Sequence, residues 1–405
     1  MKSAVIIDAC RTPIGRAHPE KGVYRDVRSD DLAVAVVRAL VERTGIDPTL
    51  IEDVVLGNTQ QQREQGFNVA RAVSLMAGLP VEAGGATVNR LCGSSLQALA
   101  QASHAIAAEA EDVQIVGGLE HMHHIPMDAG IDLNPKLFTR TSKGALMMGV
   151  TAEFLAQTQG IGREEQDRFA LSSHQKATAA YAANSEAVSG EAASAVGNGD
   201  ISAGAFTKEL IPVYGRDEAG NRILVDRDQC VRADTSMEAL AALAPAFLPG
   251  MGTVTAGNSS PLNDGAAALL VMSEERARSL GFMPLAKVRA TAVAGVDPAV
   301  MGTGPVPATQ KVLKRAGLTL ADVDLVELNE AFAAQALACI RMLGLDEEKV
   351  NVRGGAIAIG HPLGASGARI ATTLIHAMHD RDATLGLATM CIGVGQGIAV
   401  IVERV

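Results

Sequence analysis

The chain has 405 residues, of which 48% are hydrophobic and 20% charged, and its formal net charge is −10. This composition is typical of a globular protein and excludes a disordered chain, while the acidic balance disfavours general nucleic-acid binding. No uninterrupted apolar stretch reaches membrane-spanning length, and the five cysteines form neither a CxxC pair nor a disulfide framework. We therefore expect a soluble cytoplasmic protein with reduced thiols and without a membrane span.

The first informative segment in chain order surrounds Cys92, in GGATVNRLCGSSLQALAQA. Residues 86–89 predict the end of a short strand, and residues 93–95 predict a compact turn that opens a helix. A thiol at a helix N-terminus has a lowered pKa and is reactive, so the segment predicts a nucleophile. The alternative is a buried cysteine that packs as a small hydrophobic residue, and this segment alone does not decide between the two.

The first and last thirds of the chain resemble each other. Residues 39–58 match 311–329 as a helix, a glycine stop and a strand, and residues 84–106 match 354–378 as a Gly-Gly entry, a turn and a helix. The repeat predicts an α/β fold of two helix-covered units related by pseudo-twofold symmetry. Residues 122–262 interrupt the pattern, and we interpret them as an insertion that covers a site between the units.

The second repeat has polar residues at comparable positions. His361, in IGHPLGASG, corresponds to Cys92 within one residue, Cys391 lies in the glycine-rich TMCIGVGQG, and Asn329 ends a strand in VELNEAFAAQ. A base opposite a nucleophile is what nucleophilic catalysis requires, and the ends of strands are favoured site positions. Taken singly, each also has a simpler interpretation: His361 fits a turn residue, the glycine-rich segment around Cys391 fits a turn, and Asn329 fits a helix cap.

Five separated motifs resemble the signatures of the thiolase family over the whole chain: VNRLCGSS, GTVTAGNSSPLNDGAAA, NEAFAAQ, GGAIAIGHPLGASGAR and CIGVGQG. EQGFNVAR and GGLEHMHHIPM are most similar to the β-subunit of the bacterial fatty-acid oxidation complex. The resemblance implies the thiolase fold, with two duplicated helix-covered mixed sheets and an inserted loop domain. It divides the chain into an N-terminal unit (1–121 and 263–283), the loop domain (122–262) and a C-terminal unit (284–405).

The resemblance also implies thiolytic cleavage of a 3-ketoacyl-CoA by CoA. Cys92 would carry the acyl group, Cys391 would protonate the acetyl-CoA carbanion, and His361 would take the Cys92 proton. Asn329 would hold a water beside His361, and the backbone N–H groups of Cys92 and Gly393 would form an oxyanion hole.

CoA is implied as a co-substrate, with no permanently bound cofactor and no metal. The residues implied in CoA or substrate binding are Arg232, Ser260, Phe332 and Met148. Methionine at position 147, where short-chain thiolases commonly have histidine, favours a longer-chain degradative enzyme. We interpret His121, His123 and His124 as loop packing or tunnel residues, because adjacent histidines are poorly spaced for a closed metal site.

The expected partners are acyl-CoA, CoA and a second copy of the chain, as a homodimer or a dimer of dimers, with a hydratase/dehydrogenase α-subunit as a further partner. A short-chain acetyl-CoA acetyltransferase and a catalytically silent acyl-CoA-binding protein are the alternatives. The silent protein predicts the loss of a catalytic side chain, whereas all four are present. A condensing ketoacyl synthase would lack the second cysteine, and a redox or metal protein would need paired cysteines.

Overall fold

The computed structural model describes residues 2–183 and 204–405. The helices of this part are α1 (Ser29–Thr44), α2 (Val69–Met76), α3 (Ser94–Ala107), α4 (Met148–Thr158), α5 (Arg163–Ala182), α6 (Met237–Ala241), α7 (Glu274–Leu280), α8 (Pro305–Ala316), α9 (Ala333–Leu343) and α10 (Ser366–Asp380). The strands are β1 (Ala4–Arg11), β2 (Gly15–Arg16), β3 (Asp53–Gly57), β4 (Ala86–Val88), β5 (Val113–His121), β6 (Val213–Arg216), β7 (Arg222–Val225), β8 (Asn263–Ser273), β9 (Ala286–Gly295), β10 (Leu325–Leu328), β11 (Leu385–Ile392) and β12 (Gln396–Arg404).

One large mixed sheet runs through both repeats, in the order β4-β3-β5-β8-β1-β9-β12-β11-β10, with the short β2 paired to β8. The two halves repeat the same pairings, because β3·β5 and β10·β11 are parallel while β5·β8 and β11·β12 are antiparallel. The halves meet where Val5 pairs with Lys287 and Ile6 with Ala286. The predicted duplicated mixed sheets are confirmed, and this short contact joins them into one.

The repeated helix-to-strand connections form for the same local reason. Gly45 after α1 and Gly317 after α8 have φ angles of 66° and 70°, a left-handed conformation in which only glycine avoids a steric cost. Each is followed by a single 3-10 turn and then by a strand, β3 or β10. The matched glycines therefore end the two helices as the sequence predicts.

Helices α3 and α10 form the central layer of the molecule. Their apolar faces share one core with strands of both halves, and Leu99, Ile370 and Leu374 in it are almost fully buried. Complete burial of such a side chain contributes about 1.5–3 kcal/mol. At their N-termini, Ser95 Oγ accepts from the backbone N–H of Ala368 at 2.8 Å, and Gly367 packs on the backbone of Leu96. The turns that precede α3 and α10 therefore lie together.

The outer faces of the sheet are covered by the remaining helices of each repeat. Helices α1 and α2 share a core with β1, β3, β5 and β8, while α8 and α9 share another with β9 to β12. The core around α3 and α10 lies between the two halves of the sheet, and the other two cores lie on its outer faces. The molecule is therefore built of alternating layers of helices and strands. In residues 2–183 and 204–405 no helix is both long and apolar enough to cross a membrane.

The described part of the segment between β5 and β8 adds no strand to the large sheet. It contains α4, α5, α6 and the separate β6·β7 hairpin. A buried ion network attaches it to β1, because the Arg11 guanidinium binds Glu209 at 2.6 Å and Asp228 at 2.7 Å. The described parts of residues 122–262 thus connect two paired strands of one half, β5 and β8, although the three-unit division of the chain stays a prediction.

Candidate active site

Cys92 lies in the turn between β4 and α3 and is 5% exposed. Side chains hold this turn: Asn89 Oδ1 accepts from the Leu91 N–H at 2.8 Å, and Ser94 Oγ accepts from the Arg90 N–H at 2.9 Å. Gly93 caps α3 and packs against Ile392, where a Cβ atom would lie 2.6 Å from the isoleucine methyl. The first turn of α3 is therefore built against the end of β11.

The pKa of Cys92 differs from the sequence-based expectation. Burial raises it to about 11, although the backbone N–H groups of Gly393 and of Cys92 itself point at the sulfur and lower it. The prediction of a lowered pKa is wrong for the resting protein, because desolvation of the thiolate outweighs these two donors. Cys92 is a thiol at neutral pH and needs a base in order to react.

Cys391 and Gly393 reach the same place from the other half of the chain. Cys391 is the second-last residue of β11 and is 2% exposed. Burial raises its pKa well above the ordinary value, and a negative charge on Cys92 raises it further. A Cβ atom on Gly393 would lie 3.4 Å from Leu91 and 3.7 Å from the Met148 sulfur. The Cys391 segment and the Cys92 turn therefore meet at the Gly393 backbone.

His361 is held in one orientation and one tautomer. Its backbone N–H donates to Asn263 Oδ1 at 2.8 Å, and its Nδ1 lies 2.6 Å from Ser366 Oγ. Since the Ser366 hydroxyl donates its only proton to the Pro362 carbonyl at 2.9 Å, it must accept from Nδ1–H. The Nε2 atom is then unprotonated and can accept a proton.

Burial, with a further effect from the Arg369 cation, lowers the pKa of His361 to about 3. The imidazole is therefore neutral over the physiological range. A neutral imidazole can accept a proton, so His361 keeps the protonation state that a general base needs.

Asn329 follows β10 directly and continues its pairing, because its N–H donates to the Thr389 carbonyl at 3.0 Å. Its amide nitrogen lies 3.4 Å from His361 Nε2, and its Oδ1 is buried with no partner among the described residues. A buried, free acceptor costs free energy unless a ligand or water uses it. Asn329 is thus available to bind a polar group next to His361.

Phe332 and Met148 belong to the apolar cluster that contains Cys391. The Phe332 ring makes an edge contact with Phe247 at 5.9 Å, and the Ser260 N–H donates to the Ala331 carbonyl at 3.0 Å. Glu153 of α4 anchors the loop that leads to Ser260, because its carboxylate accepts hydrogen bonds from the N–H groups of Thr253 and Val254. Three of the four residues predicted to contact CoA or substrate therefore lie in or next to the apolar cluster of Cys391: Met148, Ser260 and Phe332.

Arg232 is the exception, because it is exposed and its backbone lies beside α5. Its backbone N–H donates to His174 Nδ1 at 3.2 Å. The described residues bring it into no contact with the cluster around Cys391. Its predicted role at the adenine end of CoA stays a prediction.

The histidine loop is held by hydrogen bonds. The His121 and His124 rings stack at 3.7 Å, and His124 places one nitrogen 3.0 Å from Glu64 and the other 2.8 Å from the Arg25 carbonyl. Burial lowers the pKa of His124, but the Glu64 hydrogen bond and the Arg25 carbonyl outweigh it and raise the pKa above the ordinary value. The described part of the chain contains no group of three or more His, Cys, Asp or Glu side chains able to hold a metal ion.

Sequence reasoning missed three residues that fix the site: Asn263, Glu330 and Ser366. The Glu330 carboxylate accepts from Ser173 Oγ at 2.7 Å and Asn351 Nδ2 at 2.8 Å, and Gly355 lies so close that a side chain there would overlap it. Glu330 thereby anchors the segment that leads to His361. Each of the three stands inside a recognised motif, but only the folded chain shows what its side chain contacts.

The high pKa of Cys92 predicts how it is alkylated. Since the thiolate is the reactive form, its modification by iodoacetamide should rise roughly tenfold per pH unit from pH 7 to pH 9 without a plateau. Peptide mass spectrometry measures this rate at Cys92, with N-acetylcysteine as the reference thiol. A plateau below pH 8 would contradict the buried, un-ionised thiol and indicate a preformed thiolate–imidazolium pair.

Comparison with known proteins agrees with this architecture. Residues 4–275 match the family "Thiolase, N-terminal domain" and residues 282–404 match "Thiolase, C-terminal domain". Together these matches span nearly the whole chain. The chain belongs to the thiolase family, a family of acyltransferases.

Particular relatives are similar over their full length. The chain is 54% identical to the 3-ketoacyl-CoA thiolase of Shewanella denitrificans and 52% identical to that of Aeromonas hydrophila, with 100% of both chains covered in each case. Among solved structures, human mitochondrial 3-ketoacyl-CoA thiolase matches with a TM-score of 0.86 and 36% identity, covering 100% of this chain and 99% of that one. Bacillus anthracis acetyl-CoA acetyltransferase matches with a TM-score of 0.86, 38% identity and the same coverage.

Proposed function

We propose that this protein cleaves 3-ketoacyl-CoA with CoA, giving acetyl-CoA and an acyl-CoA two carbons shorter, as in fatty-acid β-oxidation. The observation that carries the proposal is that two buried cysteines from different halves of the chain meet the Gly393 backbone: the Gly393 N–H points at the Cys92 sulfur, and Cys391 stands two residues before Gly393, in the apolar cluster. The full-length curated relatives named 3-ketoacyl-CoA thiolase support the choice of substrate class.

In the first half-reaction, the Cys92 proton passes to Nε2 of His361 and the sulfur attacks the 3-keto carbon. The N–H groups of Cys92 and Gly393 stabilise the resulting oxyanion. The bond between C2 and C3 then breaks, which leaves an acyl thioester on Cys92 and the enolate of acetyl-CoA. His361, together with a polar group bound by Asn329, stabilises the enolate oxygen, and Cys391 donates the proton that completes acetyl-CoA.

In the second half-reaction, the Cys391 thiolate takes the proton of an incoming CoA thiol. The CoA sulfur attacks the acyl group on Cys92, the new thioester leaves, and the proton held by His361 returns to Cys92. A thiol nucleophile suits this exchange, because the two thioesters are nearly equal in energy. CoA is thus a co-substrate, and the cycle needs no permanently bound cofactor.

The apolar cluster around Phe332 provides the wall for the pantetheine arm. Met148 and Val254 lie on it with Cys391, and Ser260 is fixed to the neighbouring backbone. We assign Arg232, which is exposed, to the adenine or phosphate end of CoA. An arginine there would stack on the base or form charge-assisted hydrogen bonds with phosphate.

Replacement of Ser366 by alanine should lower kcat about 10- to 100-fold, because Ser366 fixes the Nδ1–H tautomer and a hydrogen bond to the imidazolium contributes about 1.5–3 kcal/mol. Steady-state kinetics with a 3-ketoacyl-CoA measures kcat of the variant and of the wild type. Thr372→Val is the matched control, since Thr372 is a buried hydroxyl on the same helix without a partner among the described residues. Equal kcat values for both variants would contradict the assigned tautomer.

The proposed function is tested with a chain-length series of 3-ketoacyl-CoA substrates, from four carbons upward. Production of acetyl-CoA and the shortened acyl-CoA is followed by mass spectrometry, with Cys92→Ala as the inactive control. Turnover that increases beyond the four-carbon substrate supports the degradative enzyme. Turnover restricted to acetoacetyl-CoA would instead assign the short-chain acetyltransferase, and tight acyl-CoA binding without turnover would assign the silent binding protein.

The proposal includes a homodimer or a dimer of dimers. β4 is an edge strand of the large sheet, and edge strands are ready to pair with another chain. Phe67 projects fully exposed beside it, next to Asn68, whose amide donates to the Gly85 carbonyl just before β4. Sedimentation should give at least twice the chain mass of 41.9 kDa, and Phe67→Asp should reduce it.

Two further expectations belong to the same proposal. The resemblance of EQGFNVAR and GGLEHMHHIPM to a complex β-subunit supports a partnership with a hydratase/dehydrogenase α-subunit, which co-purification from the source cells would test. The five cysteines are all free and buried. Free thiols in the proposed chemistry support a reducing, cytoplasmic compartment.

A further inference from the structure

The two N–H groups assigned to the oxyanion hole come from distant parts of the chain. One belongs to Cys92 in the turn before α3, and the other to Gly393 in the turn between β11 and β12. Donors stabilise an oxyanion only when both lie within about 2.7–3.1 Å of it. Some contact must therefore set the distance between the two turns.

Both turns contain a residue in the left-handed region next to the donor. Leu91, directly before Cys92, has a φ of 46°, and Val394, directly after Gly393, has a φ of 64°. This conformation costs of order 1–3 kcal/mol for a non-glycine residue, and it is least expected for a β-branched one. Val394 is 45% exposed, so burial offsets little of its cost. Such strain persists only where surrounding contacts impose it.

Arg90 supplies contacts of this kind. Its Nη1 donates to Gln396 Oε1 at 2.9 Å, two residues beyond Val394, and its Nε donates to Gln97 Oε1 of α3 at 2.8 Å. Its backbone N–H is fixed to Ser94. One guanidinium therefore connects the Cys92 turn, the first turns of α3 and the start of β12.

We propose that Arg90 is a positioning residue, which through Gln396 sets the separation of the Cys92 and Gly393 N–H groups and holds Leu91 and Val394 in their strained conformations. This inference rests on the proposed function. Arg90 contacts no reacting atom and acts through the backbone of the two turns. The planar guanidinium suits this task because its N–H groups point in fixed directions to two acceptors.

The test is a double-mutant cycle of Arg90→Met and Gln396→Ala, measured as thiolysis of a 3-ketoacyl-CoA. Each single variant should lower kcat about 10- to 100-fold, less than the loss of a whole oxyanion donor, with KM for CoA changed less than threefold. The double variant should be no slower than the slower single variant, because both remove one connection. Arg90→Lys should restore only part of kcat, and Arg289→Met, which removes a surface pairing with Glu403, is the matched control.

Val394→Gly tests the strain separately. Its melting temperature should stay the same or rise, because glycine adopts a φ of 64° without the steric cost. Its kcat should fall about tenfold, because the wider backbone freedom of glycine leaves the neighbouring Gly393 N–H less precisely placed. Variants with wild-type kcat, or multiplicative effects in the double variant, would overturn the role of Arg90 while the proposed function stands. A wild-type protein that does not cleave the substrate would overturn both.

Discussion

Replacing Cys391 by alanine is expected to separate the two halves of the reaction. Cys92 should still be acylated when the variant is incubated with an acyl-CoA, although more slowly, because the nucleophile, the base and the oxyanion donors are intact and CoA can leave as a thiolate without the proton that Cys391 supplies. Exchange of the α-protons of acetyl-CoA with solvent deuterium should be abolished, because the acid that protonates the enolate is gone. Overall thiolysis should fall about 10²- to 10⁴-fold, the usual contribution of a general acid–base group.

The control for this variant is Cys339→Ala, which removes another buried thiol of the C-terminal half. Cys339 contacts the Gly302 carbonyl and belongs to the outer core between α9 and the sheet. The folded Cys339→Ala variant should exchange the α-protons of acetyl-CoA at the wild-type rate. Persistent exchange in Cys391→Ala would assign the proton to another group and remove Cys391 from the mechanism.

Replacing Cys92 by alanine or serine should remove both half-reactions. Loss of a catalytic nucleophile lowers kcat by roughly 10⁴- to 10⁶-fold. Serine is a sharper test than alanine, because it keeps an atom of similar size in the site but would form an oxygen ester, which CoA displaces poorly. Steady-state thiolysis measures both variants.

Cys10→Ala is the matched control, since Cys10 is fully buried in the core beneath α1 and donates to the Val36 carbonyl at 3.5 Å. It should keep thiolysis near the wild-type rate. The account of the nucleophile would be wrong if Cys92→Ala retained more than a few per cent of wild-type turnover.

Much of the fold could be predicted from the sequence, because the duplication repeats the signals that end helices and begin strands. Gly45 and Gly317 stop matched helices, and the matched turns place Cys92 and His361 before α3 and α10. What the repeat does not predict is the joining of the two sheets through two residue pairs, since that depends on the packing of β1 against β9.

The electrostatics of the site could not be predicted in the same way. A thiol at a helix N-terminus suggests a lowered pKa, whereas the folded chain buries the sulfur and raises it to about 11. Burial likewise lowers the pKa of His361 to about 3. Both effects depend on the depth of the surrounding layers, which no local motif encodes.

The contacts that position the site depend on long-range packing. Asn263 holds the His361 backbone across 98 residues, and Arg90 reaches Gln396 across 306. The motifs that contain these residues do not predict these contacts, because nothing in the local sequence identifies the distant partner.

The central claim is that Cys92 carries the acyl group, and mass spectrometry tests it directly. The wild-type protein is mixed with a 3-ketoacyl-CoA in the absence of CoA, quenched in acid and digested. The peptide containing Cys92 should gain the mass of the acyl chain shortened by two carbons, and adding CoA before the quench should remove it. Substrate consumed with that peptide unmodified, or the acyl mass on the Cys391 peptide instead, would contradict the account.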